Sequence, residues 1–170
     1  MLKRFFPNDY VKNVYEINYK KLKKDKVKGL IFDIDNTLVP YYIKQGDQKL
    51  VDLFEDLKKR GFRICLVSNG KKDRVVKFNE NLKLVAIHKA QKPRRINLRK
   101  AMNVMKTTKE NTVMIGDQVF TDVWAGNRAG MRTILVEPVS EKDEWITGIK
   151  RGIELKVINA YLKAKEKIKE

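Results

Sequence analysis

Two aspartates one residue apart close a short apolar run in the stretch Leu30 to Pro40, LIFDIDNTLVP. In an extended chain residues i and i+2 share a side, so Asp33 and Asp35 are expected to point into one site, where their charges repel. Such a pair calls for a cation. Further along, the chain offers more polar groups of this kind: Ser68 and Asn69 in VSNG, Lys92 in AQKPRR, and Asp117 and Asp122 in GDQVFTD. Crowded carboxylates are costly unless a hard cation neutralises them. Mg²⁺ suits, because it takes a few carboxylates and completes its shell with waters and phosphate oxygens. A carboxylate can also attack phosphorus, splitting one difficult hydrolysis into two easier steps. On that chemistry Asp33 is the nucleophile, while Asp35 protonates the leaving oxygen and later activates water. The metal, an ammonium and a hydroxyl would hold the equatorial phosphoryl oxygens as charge moves.

The elements that must carry these groups alternate along the chain. Residues 8–24 are expected to be helical, with Asn8 as cap after Pro7 and Val11, Val14, Tyr15 and Leu22 near helical spacing. Strands are expected at 29–33, 62–67, 84–87, 112–115 and 132–136. Helices are expected near 47–60, 71–80, 94–106 and 120–129, with Gly61 and Gly130 as stops. Strands that are apolar throughout and separated by helices imply a parallel sheet covered on both faces. The fold class is therefore α/β, a doubly wound, Rossmann-like five-stranded parallel sheet. Ligands collect at the carboxyl ends of such strands, near the point where strand order reverses, and all the polar groups above fall there. Gly116 and Gly126 read as positions of close approach, to the site and to a helix contact respectively. Cys65 sits within an apolar strand and reads as core, and His88, the only histidine, as structural or solvated. A calcium loop starting at Asp33 is rejected, because Leu38 stands where that loop needs glycine.

Composition sets the surroundings. The 170 residues are 42% hydrophobic and 35% charged, enough for one domain with a full core. No apolar run approaches the roughly 18 residues that cross a bilayer. The basic start lacks the apolar core of a signal peptide, and a lone cysteine forms no internal disulfide, so a cytoplasmic protein is expected. Net charge is +17, and the ends supply much of it. Residues 1–28 hold nine Lys or Arg against three acids, and residues 150–170 seven against three. Such ends attract phosphate-bearing partners and extend the expectation to peripheral contact with the inner face of a membrane.

At this point the chain resembles a family. DIDNT is similar to the first motif of haloacid dehalogenase-type phosphohydrolases, SN to the second, the lysine of KP to the third and GDQVFTD to the fourth, all in the family's order. The resemblance implies Asp33 as nucleophile, Asp35 as acid and base, and Ser68 and Lys92 as phosphoryl-binding groups. It implies Asp117 as a metal ligand with Asp33 and the backbone carbonyl of Asp35. Asp122 would support the metal shell directly, through water or through Lys92. Thr37, Asn69, Arg94 and Arg95 complete the expected substrate contacts, the two arginines meeting a second phosphate or an anionic headgroup. Members usually carry a cap domain after the first or the second motif. Here 30 residues lie between Thr37 and Ser68 and 23 between Ser68 and Lys92, too few for a cap. An open site suits a substrate delivered by something large, or a homo-oligomer in which a neighbouring subunit completes it. NDYV, DIDNTLVP and GDQVFTDVWAGNRAGM with TILVEPV further resemble the YqeG group of subfamily IIIA. That group is similar to phosphatases acting on phosphatidylglycerophosphate, so an anionic phospholipid is the expected substrate.

The expected organisation is a basic helical segment at 1–28, the phosphatase core at 29–140 and a basic amphipathic helical segment at 141–170. In the last, Trp145, Ile149, Ile153, Val157, Ile158, Tyr161 and Leu162 fall near one face. That face either packs on the core or lies on an anionic surface, and packing is favoured because any packed helix is amphipathic. Phe5 and Phe6 beside Lys3 and Arg4 pose the same choice. Three rival functions stay open. A phospho-receiver shares the aspartates, hydroxyl and lysine but lacks an acid two residues past the acceptor. A nucleic-acid module is disfavoured, since no stacking aromatics interleave with the basic stretches. A phosphatase acting on a protein, a nucleic-acid end or a small ester would use the same chemistry.

Overall fold

The computed structural model describes residues 2–140 and 148–167. Its centre is a parallel sheet of six strands in the order β1-β6-β5-β2-β3-β4. The strands are β1 (Asp9–Val11), β2 (Gly29–Phe32), β3 (Arg63–Val67), β4 (Val85–Ile87), β5 (Thr112–Gly116) and β6 (Arg132–Val136). The helices are α1 (Tyr19–Lys24), α2 (Gln48–Lys59), α3 (Lys72–Asn79), α4 (Ile96–Met105), α5 (Trp124–Ala129) and α6 (Gly148–Glu166). From β2 the chain winds outward through β3 to β4, then crosses back to lay β5 on the other side of β2. Strand order therefore reverses between β2 and β5, and Asp33 and Asp117 follow these two strands.

Strand alternation divides the core. Leu30, Phe32, Ile64, Leu66, Val113 and Ile115 join Leu50, Phe54 and Leu57 of α2 and Val75 and Phe78 of α3 on one face. Ile31, Cys65, Val67 and Met114 join Leu98, Ala101, Met102 and Met105 of α4 and Ala125 of α5 on the other. Because both faces are covered, β2 is buried at every residue, as its unbroken apolar run requires. Asp47 caps α2 by accepting from the Leu50 amide at 2.9 Å, and Gly61 and Gly130, at φ 82° and 76°, turn the chain out of α2 and α5. Cys65 is a core residue, with burial pushing its thiol up to about 12. Inserted domains are absent from the connections that follow β2 and β3.

The sheet has one strand more than the sequence pattern implies, and it comes from the segment expected as helix 8–24. Asp9–Val11 pairs parallel with Ile134–Val136 at what would otherwise be an open edge. Asn8 secures the register: its amide donates to the Thr133 carbonyl at 3.0 Å, and its side chain accepts from the Thr133 amide at 2.8 Å. Arg132 holds Asp9 through two nitrogens, at 2.7 and 3.1 Å. The rest of the expected helix is broken twice by asparagine. Asn13 accepts from the Tyr15 amide and Asn18 from the Lys21 amide, leaving a single 3-10 turn at Val14–Glu16 and then the short α1.

The chain ends pack on the domain. Phe5 meets Phe120 and Trp124 edge to face, and Phe6 meets Tyr161. Helix α6 starts at Gly148, runs unbroken through Gly152 and buries Glu154, Val157 and Tyr161. The Glu154 carboxylate accepts from the Phe120 amide at 3.2 Å, and the Tyr161 hydroxyl donates to the Asn8 carbonyl at 3.3 Å. Ile153 and Leu162, expected on the packed face, are exposed, because the buried stripe runs through 154, 157 and 161. Trp145 lies outside the described residues.

Candidate active site

Four connections converge beyond the carboxyl ends of the strands. The Asp33 amide extends the ladder by donating to the Ile115 carbonyl at 2.9 Å, and its carboxylate meets the Lys92 ammonium at 2.8 Å. The same ammonium lies 2.7 Å from Asp122, whose side chain is only 1% exposed. Asp117 is buried beside them and accepts from the Thr37 hydroxyl at 2.8 Å. One carboxylate oxygen from each of Asp33, Asp117 and Asp122 lies within 4.8 Å of the others.

Local sequence explains this convergence. Asn36 adopts φ 59°, a left-handed conformation that asparagine tolerates, and turns the chain so that its amide meets the Val39 carbonyl at 2.8 Å. Residues Val119–Val123 form one π turn ahead of α5, in place of the plain helical start expected near 120. The wider turn brings Asp122 back beneath Gly116, where any β-carbon would collide with the Asp122 carboxyl group. Gly126 has the same property against Thr133, so both glycines serve close approach, as their positions implied.

Electrostatics follow from burial. Loss of water, then the charge of Asp122, pushes the Asp33 carboxyl up to about 7 against the pull of Lys92. Burial and the charges of Asp122 and Asp33 hold the Asp117 carboxyl well above the ordinary range. For Lys92 burial alone would favour the neutral amine, but the carboxylates of Asp122 and Asp33 outweigh it and the group stays an ammonium. One ammonium cannot neutralise three buried carboxylates. The donor set, hard oxygens converging within a few ångström, fits a divalent cation.

The HAD-hydrolase-like family model matches residues 89–155. The probable phosphatase YqeG of Bacillus subtilis is 43% identical over 161 residues, which cover 94% of this chain and 94% of that protein. The chain belongs to the haloacid dehalogenase-like phosphatases. The phosphatidylglycerophosphate phosphatase 1, chloroplastic/mitochondrial, of Arabidopsis thaliana is 30% identical, covering 92% of this chain and 48% of that protein. Among solved structures, the cobalt-bound deoxy-D-mannose-octulosonate 8-phosphate phosphatase of Haemophilus influenzae superposes with a TM-score of 0.55. It is 17% identical and is covered over 69% of its chain, against 66% of this one.

Within this haloacid dehalogenase-like phosphatase the remaining sequence-derived residues divide. Ser68 is buried, accepts from the Gly70 amide at 2.9 Å, and its own proton has no acceptor among the described residues. Thr37 and Asn69, expected at the substrate, hydrogen-bond to protein groups. Thr37 spends its proton on Asp117. Asn69 clamps the Lys92 backbone, accepting from its amide at 2.8 Å and donating to its carbonyl at 3.3 Å. Arg94 donates to the Gln91 side chain, and Arg95 to the Arg128 carbonyl, so neither is tied to the carboxylate cluster.

Asp35 stands apart from the other carboxylates. One of its oxygens receives Nε and Nη2 of Arg74, at 3.1 and 2.9 Å, while Nη1 of Arg74 reaches the Lys44 carbonyl at 3.3 Å. The repulsion between Asp33 and Asp35 is thus relieved by two separate cations, Lys92 and Arg74. Arg74 was not legible as a site residue. The available signal was its place in the first turn of a helix that starts just after VSNG.

Proposed function

We propose that this phosphatase cleaves a phosphomonoester through an aspartyl-phosphate on Asp33 with Mg²⁺ beside it, and that its substrate is a phospholipid phosphate such as phosphatidylglycerophosphate. The observation that carries the chemistry is the buried Lys92 ammonium bridging Asp33 and Asp122 within the carboxylate cluster. Asp33, Asp117 and Asp122, with the backbone carbonyl of Asp35, are the groups that would hold the ion. When bound, Mg²⁺ supplies positive charge that lets the carboxylates stay ionised and withdraws electron density from the phosphoryl oxygens.

The residues then divide the work. An Asp33 oxygen attacks phosphorus as the bond from phosphorus to the ester oxygen breaks, and Asp35 delivers a proton to that departing oxygen. Asp35 next takes a proton from water, whose oxygen attacks the same phosphorus. The bond to Asp33 breaks, freeing inorganic phosphate and restoring the carboxylate. Lys92 and the Ser68 hydroxyl hold the phosphoryl oxygens, while Thr37 and Asn69 keep Asp117 and Lys92 in place. Arg74 positions Asp35.

The lipid reading is supported by the rim, which has no inserted cap, and by the relative in Arabidopsis thaliana whose name states that substrate. Arg94, exposed two residues past Lys92, is the cation assigned to the anionic headgroup. The test is phosphate release from phosphatidylglycerophosphate in detergent micelles with Mg²⁺, beside a soluble aryl phosphate. Faster release from the lipid is expected. Efficient turnover of the aryl ester with none of the lipid would send the search to proteins and nucleic-acid ends.

Two further outcomes follow from the geometry. Arg74→Gln should slow hydrolysis of alkyl phosphates, which need a proton on the leaving oxygen, by roughly 10- to 100-fold. Aryl phosphates, with better leaving groups, should lose far less; equal losses on both would deny Arg74 its hold on Asp35. The second outcome concerns pH. In the unfolded chain Asp33 loses its proton near the ordinary value of about 4, whereas in the fold it keeps it to about 7. The stability this provides is complete below about pH 4 and is lost as pH rises through about 7. With divalent ions chelated, the unfolding midpoint should therefore fall across that window. Added Mg²⁺ should raise it most at the upper end. Equal Mg²⁺ stabilisation at both ends of the window would contradict the cluster as the metal site.

A further inference from the structure

Beyond the reacting groups, the rim around the site has an unusual surface. Tyr41 and Tyr42, in the connection after β2, are 58% and 51% exposed, and Ile43 beside them is also exposed. Their rings stack edge to face on each other, centroids 5.6 Å apart. Ile96, which opens α4 on the same end of the sheet, is 71% exposed, and Val139, after β6, is exposed too. Apolar tips thus rise from three separate connections around the carboxylate cluster. Cations flank them: Lys44 follows the tyrosine pair, Arg94 and Arg95 precede Ile96, and the exposed Lys71 and Lys72 lie at the start of α3. Residues 40–46 and 89–96 contain no acid.

The tyrosine tip is presented by a tethered base. The Gln45 side chain donates to Glu80 at 2.8 Å, Asn81 to the Gly46 carbonyl at 3.0 Å, and Arg74 to the Lys44 carbonyl at 3.3 Å. With the base tied to α3 and to the loop that follows it, Tyr41, Tyr42 and Ile43 are held outward at little further entropic cost. Scattered large apolar tips with phenolic ends, interleaved with lysine and arginine, match the boundary between lipid headgroups and acyl chains. There the rings enter the interface and the cations meet phosphate.

We propose that this rim docks on an anionic phospholipid bilayer, with Tyr41, Tyr42 and Ile43 seated at the headgroup level and the carboxylate cluster facing the membrane. The proposal rests on the lipid reading above for its purpose, but its evidence is the surface itself. Arg74 then ties the docking loop to Asp35, since one guanidinium holds both.

The experiment is co-sedimentation of the full chain with vesicles of phosphatidylglycerol in phosphatidylcholine, with divalent ions chelated so that no metal bridges protein to lipid. Tyr41→Ser, Tyr42→Ser and Ile43→Ser are combined in one variant, and its unfolding midpoint reports that the fold is intact. A second variant, Lys44→Glu, tests the charge. The triple variant is expected to bind at least about tenfold more weakly, Lys44→Glu more weakly than wild type, and wild type weakly on phosphatidylcholine alone. A folded triple variant that binds as well as wild type overturns the proposal. So does a triple variant that loses heparin binding while keeping vesicle binding, which would point to a polyanionic partner. Docking that follows this pattern without release of lipid phosphate would retire the lipid substrate and keep the surface. Lipid turnover in micelles with vesicle binding indifferent to the loop would do the reverse.

Discussion

Asp33→Asn is expected to lower phosphate-ester turnover by roughly 10⁴-fold or more, because the amide oxygen cannot form the covalent intermediate on which both steps depend. The loss should fall on kcat. Lys92 and Ser68, the proposed phosphoryl-binding groups, and the carboxylates of Asp117 and Asp122 that would hold the metal are left in place, so KM should change little. The fold should survive, since asparagine has the same shape, and a neutral group in place of one of three buried carboxylates removes a charge whose burial is costly and eases the repulsion that adds to it. Steady-state kinetics beside a urea unfolding curve separates the two effects. Loss of activity with unchanged or increased stability is the expected pattern. A variant retaining a tenth of wild-type turnover would remove Asp33 from the nucleophile's role.

Lys92→Met should give the opposite combination, losing activity and stability together. The ammonium is all but fully buried and lies within 2.8 Å of both Asp33 and Asp122, so its removal strands two buried carboxylates beside Asp117. Breaking a buried ion pair from one side typically costs about 3–5 kcal/mol. At neutral pH with divalent ions chelated, this cost should appear in full in urea unfolding. Acid should relieve part of it by protonating the stranded carboxylates, and Mg²⁺ should relieve part by replacing the missing charge. Turnover should not return with Mg²⁺, since the ammonium proposed to hold the phosphoryl oxygens is gone. Lys92→Arg should rescue poorly, because a planar guanidinium is larger than the compact ammonium it would replace at an all but fully buried position. A fully stable Lys92→Met protein at neutral pH without divalent ions would contradict the electrostatic account of the cluster.

The parts of this molecule legible in its sequence are those dictated by local pattern. Five apolar runs separated by amphipathic segments specify a parallel sheet, and polar residues after those runs fall at one rim. Gly116 and Gly126 announced close packing because no other residue type would be spent at those points. What sequence did not reveal depends on partners far along the chain. Asp9–Val11 becomes a strand only because β6 presents an edge and Thr133 offers its backbone to Asn8, 125 residues away. Thr37 and Asn69 sit within the motifs yet serve protein groups, and the direction of a hydroxyl or amide is set by tertiary neighbours. Arg74 meets Asp35 across 39 residues and resembles any helical arginine in sequence. In α6 the apolar positions were legible, but the stripe that packs was shifted by one buried acid, Glu154, which docks on the Phe120 amide.

The central claim is that phosphorus passes through Asp33, and trapping it there tests this most directly. The enzyme would be mixed with a phosphate ester and Mg²⁺, quenched in acid within a turnover, digested with trypsin and analysed by mass. Residues 29–44 are released as one peptide holding Asp33 and Asp35. The account predicts a transient phosphoryl group on that peptide, localised to Asp33 by fragmentation, labile to hydroxylamine, and absent from Asp33→Asn. Active turnover with no phosphoryl group on the peptide at any quench time, or with the group on another residue, would contradict it.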